Sequence, residues 1–254
     1  MSPFPADGVI TGRMGSQRAF FATAALLFAA SAALLTGWHG SMSAMVWMPM
    51  PGGTWPAAAA TFLGMWVVMM VAMMLPSLVP MLLRYRQAVG QTGEKRLALL
   101  TMLVAVAYFS VWAVFGMAVF PLGVTLAAAA MQLPALARAV PVAAAVVVLI
   151  AGALQFTAWK THHLACCREL PGRGRALPVD ARTAWRHGLR LGLHCTQCSV
   201  GLMAILLVVG VMDLRAMAVV AAAITVERLA GERVARAIGV VVIGAGLFLI
   251  ARAT

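Results

Sequence analysis

The sequence predicts an all-α fold: a polytopic transmembrane helical bundle of about seven spans (six possible) with a cytoplasmic N-terminus. Three observations predict it. The chain is 63% hydrophobic and only 10% charged, with a mean hydropathy of +0.95, whereas soluble domains are closer to half apolar and a quarter charged. Long stretches such as 60–82, 97–120 and 139–159 contain no charged residue and suit a hydrocarbon core roughly 30 Å thick. None shows the short period-two alternation of barrel strands, so backbone polar groups in lipid would be satisfied within helices.

In chain order, residues 1–18 form a cytoplasmic tail and 19–254 a single transmembrane helical domain. The apolar segments are 19–37, 60–82, 97–120, 139–159, 193–212, 214–229 and 237–251. The first follows Arg13 and Arg18 and exceeds the usual 7–15 residues of a signal-peptide core, which points to an uncleaved span. The fifth and sixth are short and are separated only by Gly210-Val211-Met212-Asp213. The stretch 160–189 is too short for a second folded domain.

Charge orients the bundle. The formal net charge is +12, and the basic residues cluster between apolar runs. An N-terminus inside leaves only Arg138, Arg215 and Arg252 on the outer side, with the other sixteen of nineteen Lys and Arg inside. That is a strong positive-inside bias. Basic loops beside spans point to the lipid bilayer as partner and not to nucleic acid. The localisation that follows is a plasma membrane, crossed several times.

All four cysteines flank one basic inner loop. The run Lys160-Thr161-His162-His163-Leu164-Ala165-Cys166-Cys167 closes the fourth segment, and His194-Cys195-Thr196-Gln197-Cys198 opens the fifth. Cysteines in a reducing cytosol serve metals or redox chemistry more than structural disulfides. Thiolate and imidazole are ligands for Zn(II) and Cu(I). Cys195 and Cys198 are one helical turn apart, and His163 and Cys167 share a face at a spacing of four. His163, Cys167, Cys195 and Cys198 are therefore the candidate inner metal ligands, with His162, Cys166 and His194 in reserve. The plain alternative is that these are small buried thiols and loop histidines.

Methionine is the second anomaly. Ten of the eighteen lie between Met42 and Met81. His39, Met42 and Met45 sit on the outer side. On the second segment Met65, Met69 and Met73 recur every four residues, as do Met70 and Met74, which stacks thioethers along adjoining faces. Thioether favours Cu(I) over Zn(II), although methionine also simply packs well, and Pro76 and Pro80 could merely kink the span. The candidate relay is Met69, Met70, Met73 and Met74, with His39, Met42 and Met45 as outer capture. The M-x-x-x-M spacing is similar to that of the high-affinity copper transporter family, in which it guides Cu(I) across the membrane.

Over about Met65 to Gly246 the chain resembles a little-characterised bacterial family of predicted metal-binding integral membrane proteins. Three motifs carry the likeness: Trp66 to Ser77 with Pro80 following, Gln155 to Lys160 leading to His163 and Cys167, and Gly188-x3-Gly192-x2-Cys195-x2-Cys198-x4-Met203 followed by Gly210-x-Met212. The family pattern has two cysteines, spaced by three residues, at the end of the fourth span. Here His163 stands at the first of those positions and Cys167 keeps the second. The exchange preserves a metal ligand and removes a dithiol.

Glu227 and Asp213 read as structural, Glu227 reaching the interface or pairing with Arg228, Arg233 or Arg236, and Asp213 forming an outer turn. No nucleotide-binding, hydrolase or zinc-protease motif occurs, which sets those enzyme classes aside and makes an enzyme the less favoured reading. The leading reading is binding of a soft metal, Cu(I) before Zn(II), for transport or delivery to a metallochaperone or another membrane subunit. Two other readings stay open. One is a membrane thiol oxidoreductase using Cys195 and Cys198. The other is a structural or assembly subunit of a membrane complex.

Overall fold

A computed structural model describes residues 6–42, 54–89, 92–168, 178–210 and 213–253. Every regular element among them is a helix: α1 (Ala6–Met42), α2 (Trp55–Val89), α3 (Glu94–Gln132), α4 (Pro134–Leu154), α5 (Ala158–Arg168), α6 (Ala181–Val209), α7 (Leu214–Ala230) and α8 (Glu232–Ala253). The all-α bundle is thus the architecture. Five of these helices are long and apolar enough to cross a membrane, or six if α4 and α5 form one bent span.

The apolar runs translate into helices with two informative differences. Segment 139–159 is not one rod: α4 ends at Leu154, and α5 leaves at 64° after a three-residue break. Thr157 marks that break, its hydroxyl donating to the Leu154 carbonyl at 2.7 Å while accepting from the Lys160 amide at 3.3 Å. Helix α6 starts twelve residues before the apolar run that begins at 193, because Asp180 caps it: Thr183 donates its backbone N–H to Asp180 Oδ1 at 2.7 Å. That extension carries Gly188 and Gly192 into the helix. Helix α7 has 17 residues, short of the ~20 that a full span takes.

The packing is built around α2 and α6. Helix α6 contacts α3, α4, α5 and α7, while α2 contacts α1, α3 and α7, and α4 pairs with α8. Glycine lets α6 lie close on α3, since a Cβ at Gly188 would stand 2.4 Å from the Val104 carbonyl oxygen. On α2, Trp66 is fully buried and donates Nε1–H to the Trp112 carbonyl of α3 at 2.9 Å. Gly210 and Gly231 end α6 and α7 with φ of 136° and 91°, which a side chain would strain.

The exterior carries many large apolar side chains. Leu26 and Leu27 on α1, Met102 and Val114 on α3, and Val241, Leu247 and Phe248 on α8 are all exposed. A soluble surface scatters such residues singly; here they continue along whole helices.

Candidate metal centre

The site lies where α2, α3, α5, α6 and α7 meet. Helix α5 supplies Cys167, and α6 supplies Cys195 and Cys198; all three are buried. The turn at 155–157 tips α5 against α6, so the Sγ atoms of Cys167 and Cys198 come within 3.9 Å. One turn earlier on α6, the Cys195 thiol meets the Tyr108 hydroxyl of α3 at 2.8 Å. Its backbone carbonyl accepts from Cys198 Sγ at 3.3 Å and from the Ser199 hydroxyl at 2.7 Å.

Charged groups enclose this sulfur pair, although the surroundings are apolar. Arg228 of α7 is fully buried and donates from Nη2 to Cys167 Sγ at 3.3 Å and from Nη1 to the Ser77 hydroxyl of α2 at 2.9 Å. Lys160 of α5 meets Glu227 of α7 at 2.6 Å and also donates to the Cys198 carbonyl. Glu227 therefore does not do what its sequence neighbours suggest. It neither reaches the surface nor pairs with Arg228, Arg233 or Arg236; it is completely buried against Lys160. The reason is that α7 lies between α2, α5 and α6, turning its Glu227-Arg228 pair inward. Asp213 caps α7, accepting from the Arg215 and Ala216 amides at 2.8 and 3.0 Å.

The histidines form a separate group beside the thiols. His163 Nδ1 and His194 Nδ1 are 3.1 Å apart, and the Trp159 ring stands edge-on to His163. His162 Nε2 lies 3.7 Å from Cys166 Sγ on the more exposed side. Of the four candidate inner ligands, the structure thus sets Cys198 against both Cys167 and Cys195, Cys195 also against Tyr108, and His163 against His194. Among the described residues no three His, Cys, Asp or Glu side chains converge into a ready metal-holding group.

The methionines of α2 all point inward. Met65, Met69, Met70, Met73, Met74 and Met81 are buried. They belong to one continuous core that also contains Met203 of α6, Met217 of α7 and Cys195. The thioether column and the thiol cluster are therefore parts of one packed interior. His39 and Met42 fall at the end of α1 with side chains outside the described residues, and Met45 lies outside them altogether.

Sequence reasoning missed Arg228, Lys160, Tyr108 and Ser77 as neighbours of the thiols. A signal existed for the first two. A charge at the edge of an apolar run must find a partner indoors, and Glu227, Arg228 and Lys160 were such charges. Nothing in spacing marks Tyr108 or Ser77, because their roles depend on which helices adjoin.

Fold and site together define an all-helical protein with a soft-ligand interior, its buried thiols backed by a methionine-rich core. Residues 63–249 match the family model described as PpoB2, a copper chaperone. The chain belongs to that family. No curated protein and no solved structure matches it.

Proposed function

We propose that this chain is a copper chaperone embedded in a bacterial inner membrane, which takes up Cu(I) and hands it to a partner protein. Copper is its cargo. The single observation that carries the reading is the approach of Cys167 and Cys198 to 3.9 Å from two different helices in a buried place. A metal ion bridging two sulfurs with bonds of about 2.3 Å and an angle near 120° spans about 4 Å between them. Cys167 and Cys198 would be the first ligands, with Cys195 the third sulfur at hand and His163 the neighbouring imidazole.

The membrane supports the rest of the reading. Five or six apolar helices with apolar outer faces suit lipid and not water. With basic loops inside, the thiols lie toward the cytoplasmic end and the His39, Met42 and Met45 segment toward the outer end. Met69, Met70, Met73 and Met74 would relay Cu(I) between the two. Thioethers bind Cu(I) without adding charge, so an ion passed along them stays monovalent and weakly held. The partner that receives it would be a metallochaperone or another membrane subunit.

The test is the copper content of purified full-length protein after loading with Cu(I), with and without Cys195→Ser/Cys198→Ser. Loss of bound copper in the double variant is expected; equal content in both would remove the thiol site from the proposal. A thiol oxidoreductase using Cys195 and Cys198 predicts a disulfide between those two on mild oxidation. The approach of Cys167 to Cys198 from a second helix is a contact that the metal reading uses and the disulfide reading leaves idle.

A further inference from the structure

Arg228 is an unusual residue for the centre of a helical bundle. Its guanidinium is fully buried, and both of its hydrogen bonds end on uncharged or thiol groups, Ser77 Oγ and Cys167 Sγ. Its Nε has no partner. The carboxylate next to it in sequence, Glu227, is bonded to Lys160. With Glu227 ionised against Lys160, the three side chains sum to one net positive charge beside the sulfurs. A buried charge without a counter-ion is costly, and the anions at hand to balance it are the thiolates of the sulfur cluster.

We infer that Arg228 is a specificity determinant that selects a monovalent over a divalent cargo ion by charge balance. The inference rests on the copper reading above and asks what fixes the ion's charge. Thiols that coordinate a metal are deprotonated. Cys167 and Cys198 face each other and supply the two thiolates, while Cys195, the third sulfur nearby, stays a thiol against Tyr108 and adds no charge. One Cu(I) with two thiolates carries a charge of −1, and Arg228 brings the buried assembly to neutrality. One Zn(II) with the same two thiolates is neutral by itself and leaves Arg228 unopposed. The protons released from the two thiols leave with solvent, and no electron is transferred. Arg228 touches Cys167 and acts on the ion through it, so it is a positioning residue.

The same balance predicts opposite effects for two neighbours. Arg228→Gln removes the positive charge and lowers the ratio of Cu(I) to Zn(II) affinity by more than about tenfold, since a unit charge a few ångströms away in a protein interior has at least that weight. Arg228→Lys keeps the charge and most of the ratio. Glu227→Gln adds a net positive charge and raises the ratio. A purely structural role would lower binding of both ions together in each variant.

The experiment is a competition titration of full-length protein in detergent micelles against chromophoric chelators, with Cu(I) and Zn(II) as probes, for wild type and the three variants. Ratios that fall in Arg228→Gln, hold in Arg228→Lys and rise in Glu227→Gln support the assignment. Ratios that stay constant, or move the same way in Arg228→Gln and Glu227→Gln, overturn it. If Arg228→Gln does not fold, Arg228→Lys and Glu227→Gln still decide by the direction of their ratios. Wild-type Cu(I) binding by Cys167→Ser/Cys198→Ser would mark the different failure, that of the thiol site itself, and would overturn both readings.

Discussion

Lys160 Nζ and Glu227 Oε1 meet at 2.6 Å with both side chains shut away from solvent. They are separated by 67 residues in sequence and join α5 to α7 directly behind the sulfur pair. Such a pair is held by its own completeness. Glu227→Ala leaves an ammonium stranded in an apolar interior and is expected to cost about 3–5 kcal/mol. Lys160→Met/Glu227→Leu removes both charges and is expected to cost far less than the two single changes added together. Unfolding in detergent, run as a double-mutant cycle, measures the difference; additive losses would mean that the two side chains do not depend on one another.

Helix α6 rests on α3 through Gly188, where a Cβ would come within 2.4 Å of the Val104 carbonyl oxygen and 2.7 Å of Ala107 Cβ. The obstacle is backbone, which cannot rotate aside as a side chain can. Gly188→Ala is expected to push α6 off α3 at a cost of about 1–3 kcal/mol, and to displace Cys195 from Tyr108 as it does so. Gly37, with nothing within 4 Å of its Cβ position, is the control: Gly37→Ala should leave the melting temperature unchanged or raise it slightly. Thermal unfolding of the two variants side by side checks both.

These two contacts show how far the chain could be read in advance. The glycines at 188 and 192 and the cysteines at 195 and 198 stood out as one motif, and they are one face of α6, because helical periodicity is a local property. The buried methionines of α2 were visible for the same reason. The break at 155–157 was not, since Gln155-Phe156-Thr157 contains neither proline nor glycine and its bend is defined by side-chain bonds to Leu154 and Lys160. Nor was the direction of Glu227 and Arg228. Position along a helix says toward which end of the bundle a charge lies, but only the neighbours decide whether it faces outward or a thiol.

The cap of α6 gives a pH dependence of known sign. Thr183 donates both its amide and its hydroxyl to the Asp180 carboxylate at 2.7 Å each, and these bonds, the backbone one first, hold the Asp180 carboxyl below its usual range. A group whose folded value is depressed contributes its stability above the unfolded value, near pH 4, and loses it as pH falls through the lower folded value. Wild-type protein should therefore lose melting temperature between about pH 4 and more acid conditions by a margin that Asp180→Ala lacks. Parallel acid melts of the two proteins that run at a constant offset would show that the cap has no such role.

The methionine column separates packing from transport. Met73 and Met74 are both buried in the core that includes Cys195, so either role would explain why they are large and apolar. Leucine fills nearly the same volume and lacks the sulfur. Met73→Leu/Met74→Leu is expected to cost less than about 1.5 kcal/mol per site, keeping the melting temperature close to wild type. If the thioethers relay copper, the same variant should load Cu(I) at Cys167 and Cys198 more slowly from the opposite side of a proteoliposome. Copper added directly to solubilised protein would still reach the thiols at the normal rate. Equal loading rates across the membrane for wild type and variant would reduce these methionines to packing, and the route to the thiols would have to be sought elsewhere.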